Sequence, residues 1–137
     1  MTEEKYYING QKHGIWITWV DGVKRVEQTY KNGRKDGLEL QYVGDGITVI
    51  YESNWSDGWN EGLATSYISH DNTLKKNIDE IYKNGRITSE IHYEYHDNGK
   101  LESKTFYNGD AQLISSKCWD EDGNECECSE EWWNGCK

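Results

Sequence analysis

A glycine turn recurs along the chain at a nearly constant interval, and this repeat constrains the fold more than any other feature. An Asn-Gly or Asp-Gly pair ends at Gly10, Gly33, Gly58, Gly85, Gly109 and Gly135. The interval is about 25 residues, which lies in the range of solenoids and repeat arrays. We therefore predict one repeat domain over residues 1–137, with units at approximately 7–32, 33–57, 58–84, 85–108 and 109–137.

A second turn signal falls inside each unit. It is DG at 21–22, GDG at 44–46, HDN at 70–72, HDNG at 96–99 and EDG at 121–123. Asp-Gly and Asn-Gly favour the positive φ angles that tight hairpin turns require. Each unit is therefore predicted to run strand, turn, strand, turn.

The residues between the turns alternate between apolar and polar, which is typical of an antiparallel sheet with one solvated face. In the second unit Leu38, Leu40 and Tyr42 fall on one face, whereas Glu39 and Gln41 fall on the other. The same register assigns to the packed face Val26, Gln28, Tyr30, Tyr51, Ser53, Trp55, Ile78, Glu80 and Tyr82. It assigns to the solvated face Thr18, Ser66, Thr88, Glu90, His92 and Glu94.

The predicted fold is all-β, a single elongated, twisted antiparallel sheet of stacked β-hairpins with about ten strands. The chain contains no proline, as expected where most backbone amides donate to a neighbouring strand. The segment TLKKNIDEIYK at 73–83 is the best helical candidate, but its period and its place in the repeat favour a strand.

Several segments resemble a known repeat. NGQKHGIWITW and KNGRKDGLELQY are similar to the variant MORN repeat of bacterial proteins (the MORN_2 type), and YHDNGKLESKTFYNG and KCWDEDGNECEC are similar to its later units. The resemblance covers nearly the whole chain and is weaker over 44–80. It implies a curved sheet of stacked hairpins and no conserved catalytic set. Through the YwqK-like antitoxin members of the family, it also implies an antitoxin or immunity function.

The charge of the chain limits its partners. It carries 25 acidic and 15 basic residues, for a net charge of −10. This charge opposes binding to nucleic acid or to anionic lipid, whose phosphates need Lys and Arg, and it attracts a basic protein. No stretch approaches the roughly 20 apolar residues of a membrane span. Because the start MTEEKYY lacks the features of a signal peptide, we expect a cytoplasmic location.

The cysteines all lie in the last fifth of the chain, at Cys118, Cys126, Cys128 and Cys136. Their spacing is not the paired C-x2-C of a zinc ribbon. A turn near 122–123 places Cys118 across a hairpin from Cys126 or Cys128. Three states stay open: free thiols, a disulfide clasp at the terminal hairpin, or a structural zinc site. A cytosolic location favours free thiols, and no other cofactor is predicted.

No acid–base pair, nucleophile or phosphate loop emerges from the sequence, so we predict no enzymatic activity. The predicted function is a protein-interaction module, in the antitoxin or immunity form a protein that neutralises a basic partner. Its candidate contact residues are Trp16, Trp59 and Trp132, which lie beside turns or on the polar face. Two alternatives stay open: a scaffold that self-associates through the open sheet edges, and a lipid-associated MORN scaffold, which the net charge opposes.

Overall fold

The computed structural model describes residues 5–130 and 135–137. These residues form thirteen strands and no helix, which confirms the all-β prediction. The strands are β1 (Tyr7–Ile8), β2 (Gln11–Lys12), β3 (Gly14–Val20), β4 (Val23–Lys31), β5 (Arg34–Tyr42), β6 (Val49–Ser56), β7 (Trp59–Asn60), β8 (Gly62–His70), β9 (Thr73–Lys83), β10 (Arg86–Tyr95), β11 (Leu101–Asn108), β12 (Leu113–Trp119) and β13 (Glu125–Cys126). The segment 73–83 is a strand, as its period predicts.

One antiparallel sheet contains all of these strands except the first two. Its order is β13-β12-β11-β10-β9-β8-β6-β5-β4-β3, with the short β7 paired to β6, so almost every strand lies next to its neighbour in sequence. β1 and β2 form a separate two-stranded hairpin. The result is the elongated sheet of hairpins that the repeat predicts.

The repeated glycine motif forms the turns that connect the units. In the second unit Asn32 and Gly33 have φ angles of 50° and 80°, the left-handed pair that a two-residue hairpin turn requires. Gly37, four residues later, has φ 108°, and a Cβ at this position would lie 3.2 Å from the side chain of Thr29. Gly37 therefore satisfies both a backbone and a packing requirement that other residues do not meet.

Successive turns are hydrogen-bonded to one another along one side of the sheet. The amide of Gly33 donates to the carbonyl of Lys12 at 2.9 Å, and the amide of Gly58 donates to the carbonyl of Lys35 at 2.8 Å. Gly85 repeats the contact with Asn60 at 2.9 Å. The acceptor is in each case the second residue after the preceding glycine, so the repeat produces a column of stacked turns.

Acidic side chains reinforce this column. Asp36 accepts a hydrogen bond from the amide of Asp57 at 3.0 Å, and Glu61 accepts one from the amide of Asn84 at 2.7 Å. Both acids immediately precede the second glycine of their motif. Part of the acidity of the chain is therefore structural, since these carboxylates satisfy turn amides that would otherwise need water.

The register of the sheet corrects the predicted faces. Leu40 lies directly opposite Glu27 and Glu52, whereas Glu39 lies opposite Gln28 and Ser53. Gln28 and Ser53 therefore share a face with Glu39, and the prediction that they share one with Leu40 is wrong. We call the two surfaces the Glu39 face and the Leu40 face. Apolar side chains occur on both, because register shifts interrupt the alternation in most strand pairs.

The side chains that the sheet buries are mainly polar. They are Gln28, Glu39, Ser53, Thr65, Asp79 and Ser103, together with the less polar Tyr42, Ala64 and Cys118. Leu38, predicted on the packed face, is 44% exposed, and Ile15 is 58% exposed. The reason is that a single layer has no second layer to cover a leucine, whereas the centres of its strands are covered by long neighbouring side chains. Lys35, for example, reaches Glu39 at 2.7 Å.

Asp79 shows how one layer accommodates a buried charge on the Leu40 face. Its carboxylate accepts hydrogen bonds from Thr65 Oγ1 at 2.6 Å and Tyr93 OH at 2.7 Å, and Lys76 Nζ lies 3.0 Å away. Burial alone would raise the pKa of Asp79, but these three hydrogen bonds outweigh it and hold the pKa below its ordinary value. The cluster joins β8, β9 and β10 through one ionised group.

Candidate binding surface

Two glutamates face each other across neighbouring strands on the Glu39 face. Glu80 of β9 lies directly opposite Glu90 of β10, and Ala64 lies on the other side of Glu80. Like charges directly opposite each other destabilise a sheet. A pair of this kind needs compensation, either from the chain itself or from a bound group.

The chain compensates this pair with neutral or weakly basic groups. Tyr82 OH donates to Glu80 at 3.2 Å, and the Nε2 atom of His92 lies 2.9 Å from Glu90. Among the described residues no Lys or Arg nitrogen lies within 4.0 Å of either carboxylate. Glu39, by contrast, is paired with Lys35. The two opposed carboxylates therefore have no Lys or Arg counterion among the described residues.

A third carboxylate extends this charge along β10. Glu90, His92 and Glu94 lie on one face, since they are opposite Tyr107, Thr105 and Ser103 of β11. Glu94 is exposed and accepts a long hydrogen bond from Ser103 Oγ, at 3.4 Å. We call Glu80, Glu90, His92 and Glu94 the acidic strip. The alternation of β10 predicts that Glu90, His92 and Glu94 share a face, and the structure confirms it.

Aromatic rings border the acidic strip. The ring of His92 lies 4.8 Å from the ring of Tyr107. Burial, with the negative charge of Glu80 and the neighbouring Tyr51, raises the pKa of Tyr82 far above its ordinary value. Tyr82 is therefore neutral at physiological pH and remains a hydrogen-bond donor toward Glu80.

An open groove continues from the acidic strip toward the C-terminal end of the sheet. It has a volume of about 610 Å³ and is lined by His92, Glu94, Ser103, Thr105, Tyr107, Leu113, Ser116, Cys118, Cys128, Ser129, Glu130 and Gly135. Glu130 adds a further carboxylate to those of the strip. The surface combines negative charge, hydroxyl groups and an aromatic ring, which is the chemistry that binds Lys or Arg side chains.

The four cysteines close this end of the sheet as two disulfides. Cys118 is bonded to Cys128 and Cys126 to Cys136, with Cα–Cα distances of 5.3 and 5.6 Å. Cys118 lies opposite Cys126 in the strand pairing, as the position of the turn predicts. The structure therefore contains the disulfide alternative and not the free thiols that a cytosolic location favours. In residues 5–130 and 135–137 no group of three metal-ligating side chains is found.

The candidate tryptophans lie in different environments. Trp16 is packed against the first hairpin: its Nε1 donates to the carbonyl of Tyr6 at 3.2 Å, and Lys12 Nζ lies 4.3 Å from its ring. Trp59 is 64% exposed and lies against the backbone of Gly85, where an added Cβ would come within 2.6 Å of the indole. Trp132 lies outside the described residues. The structure brings neither Trp16 nor Trp59 into the acidic strip.

Sequence reasoning missed the opposition of Glu80 and Glu90, because it placed Glu80 on the packed face. The register shifts between Ile87 and Ser89, so that Thr88 is an extra residue opposite β9. One extra residue reverses which side chains share a face. The alternation of apolar and polar residues does not predict such a bulge, so the opposition of Glu80 and Glu90 could be found only in the structure.

No protein-family model matches the chain, and a search of the curated proteins finds no similar one. The resemblance to variant MORN repeats therefore stays a prediction. Among the residues that the structure describes, no helix is long and apolar enough to cross a membrane.

Proposed function

We propose that the protein is a non-enzymatic interaction module that binds a basic protein segment on its acidic strip. The observation that carries the proposal is the direct opposition of Glu80 and Glu90, with no Lys or Arg nitrogen of the described residues within 4.0 Å of either carboxylate. A cation from a partner relieves this repulsion, so binding is favoured by the same charges that weaken the free sheet.

The strip also suggests the form of the partner. Glu90 and Glu94 are four residues apart on an extended strand, a distance of about 13 Å. A partner in extended conformation with Lys or Arg at positions i and i+4 presents its cations at the same separation. The antitoxin or immunity function that the MORN resemblance implies is one form of such binding, in which the basic partner is a toxin.

Location is a separate part of the proposal. The two disulfides conflict with the cytoplasmic location that the sequence predicts, because the cytosol keeps most thiols reduced. A count of free thiols in protein isolated from its native host distinguishes a cytosolic protein from one in an oxidising compartment. A count of four free thiols supports a cytosolic protein, and a count of zero supports a protein of an oxidising compartment.

The binding proposal is tested by calorimetric titration of the protein with a synthetic peptide that carries arginines at i and i+4. The titration is carried out at two salt concentrations. We expect saturable binding that weakens with salt and is reduced at least tenfold in the double variant Glu80→Gln, Glu90→Gln. The control is Glu121→Gln with Glu125→Gln, which removes the same charge from the exposed C-terminal hairpin. An equal loss in both double variants would show general charge attraction and refute the strip.

The native partner is sought by capture from host lysate with the wild type and the same two double variants. The proposal predicts a basic protein, bound in stoichiometric amount to the wild type and to the control but not to the strip variant. Recovery of no stoichiometric basic protein contradicts it.

A further inference from the structure

β3 is an edge strand without charge. Its residues are GIWITWV, in a chain of which 29% of residues are charged. Within residues 5–130 and 135–137 it pairs only with β4, and Ile15 and Val20 are 58% and 47% exposed. Soluble proteins protect an edge with lysine, proline or a bulge. β3 contains no proline and no lysine, and the extra residue of its bulge, Arg25, belongs to β4.

The described part of the first hairpin does not pair with this edge. It contacts β3 through the side chain of Trp16, whose ring packs on Tyr7 at 5.1 Å and bonds to the Tyr6 carbonyl. No backbone hydrogen bond joins the described part of the hairpin to Gly14–Val20. Among the described residues, no strand occupies the outer amides and carbonyls of β3.

The opposite edge of the sheet is different. There β13 has only two residues, Glu125–Cys126, and the segment that follows it is tied down by the two disulfides. Among the described residues, β13 covers only Cys118 and Trp119 of β12, so the outer side of β12 is also unpaired over Leu113–Lys117. This edge is shorter than β3 and carries Lys117, a residue type that protects an edge. Head-to-tail pairing into a fibre is therefore disfavoured, and the uncharged β3 matches best the β3 of a second copy, which forms a closed two-fold dimer.

We propose that two copies of the protein pair antiparallel through β3, with the two-fold axis at Ile17. In this register Ile17 lies opposite itself, Ile15 opposite Trp19, and Trp16 opposite Thr18. Odd-numbered residues lie opposite odd-numbered residues and even-numbered opposite even-numbered, so the two members of each pair share a face. The aromatic–aliphatic pair of Trp19 and Ile15 is of the kind that stabilises sheets. No charge of one β3 meets a charge of the other, so self-pairing carries no repulsion across the interface.

This dimer goes beyond the proposed function and does not depend on it. The acidic strip lies on β9 and β10, in the interior of the sheet, and takes no part in the pairing of β3. Dimerisation presents two strips on one continuous sheet, so a partner with two basic segments gains from binding both. A monomer that binds a basic peptide would refute only the dimer, and a dimer that does not would refute only the strip.

The test is the molar mass in solution, by light scattering and sedimentation, across a wide range of protein concentration. We expect twice the chain mass of 16.0 kDa for the wild type. Ile17→Lys places two lysines opposite each other at the axis and raises the dissociation constant about a hundredfold or more. Ile17→Glu has the same effect. Leu63→Lys is the control, because Leu63 is 42% exposed on an interior strand and meets no edge.

Mixing the two Ile17 variants separates pairing from misfolding. When Ile17→Lys is mixed with Ile17→Glu, opposite charges meet at the axis, and the mass of the dimer returns. An unfolded variant is not rescued in this way. Three results overturn the proposal: a wild type that keeps the mass of one chain at millimolar concentration, a dimer that survives Ile17→Lys, or a mixture that stays monomeric.

Discussion

Asp79→Asn is the substitution that tests how this single-layer sheet is held together. Asp79 is 5% exposed and accepts three hydrogen bonds, from Thr65, Tyr93 and Lys76. Asparagine keeps the shape and one acceptor oxygen. It places an amide donor against a hydroxyl group and leaves Lys76 without its counterion. The substitution therefore changes the electrostatics of the cluster and leaves its packing nearly unchanged.

The expected cost follows from these contacts. A hydrogen bond to a charged group contributes about 1.5–3 kcal/mol, and at least one of the two hydroxyl bonds is lost or reversed. The ion pair with Lys76, whose side chain is 43% exposed, adds less than about 1 kcal/mol. We expect Asp79→Asn to lower the free energy of unfolding by about 3 kcal/mol, a large share of the stability of a small domain.

The assay is urea unfolding at several pH values, followed by tryptophan fluorescence. The folded pKa of Asp79 lies below its ordinary, unfolded value, so its contribution is complete above the unfolded pKa and is lost as the pH falls through the folded pKa. The stability gap between wild type and variant is therefore full at pH 7 and narrows in strong acid. Asp71→Asn is the control, because that side chain is 79% exposed and its replacement costs about 0.5 kcal/mol or less.

Two results would refute this reasoning. A cost below about 1 kcal/mol at pH 7 would mean that the buried carboxylate does not hold the three strands together. A gap that is the same in neutral and strongly acidic solution would mean that the charge of Asp79 plays no part in the cost.

Two further substitutions test the turns and the terminal clasp. Gly37→Ala forces a left-handed residue and a 3.2 Å contact with Thr29, so we expect a loss of about 2 kcal/mol in urea unfolding; an unchanged midpoint would refute the turn argument. Replacing Cys118 and Cys128 together by serine opens a loop with a sequence separation of 10 residues and costs about 2.7 kcal/mol from chain entropy. If a reducing agent lowers the thermal midpoint of the wild type but not that of a variant without cysteines, the clasp is confirmed. A wild-type midpoint that is the same with and without the reducing agent would contradict it.

The turns and the strands were predictable from the sequence, because their chemistry is local. Asn32 and Gly33 adopt the positive φ angles that their residue types favour. The hydrogen bond from Gly33 to Lys12 was not predicted, because it joins residues 21 positions apart. The sequence announces the interval of the repeat but not which backbone groups it brings together.

The faces of the sheet were not predictable, because a bulge reverses the alternation and the sequence does not show where a bulge occurs. Thr88 and Arg25 each add one residue to one strand of a pair, and the alternation reverses beyond them. Glu80 therefore meets Glu90, although their sequence positions predict opposite faces. Likewise the spacing of the cysteines places Cys118 across from Cys126 but does not show that its bond goes to Cys128.

The measurement that tests the account most directly compares stability and binding in one variant, Glu80→Gln with Glu90→Gln. We expect the stability and the peptide affinity of this variant to change in opposite directions. Without the repulsion, the free protein should be as stable as the wild type or more stable by about 0.5 kcal/mol, whereas its affinity for the arginine peptide should fall at least tenfold. A variant that loses more than about 1 kcal/mol of stability and binds the peptide as the wild type does would contradict the account, because the two carboxylates would then serve the fold and not a partner.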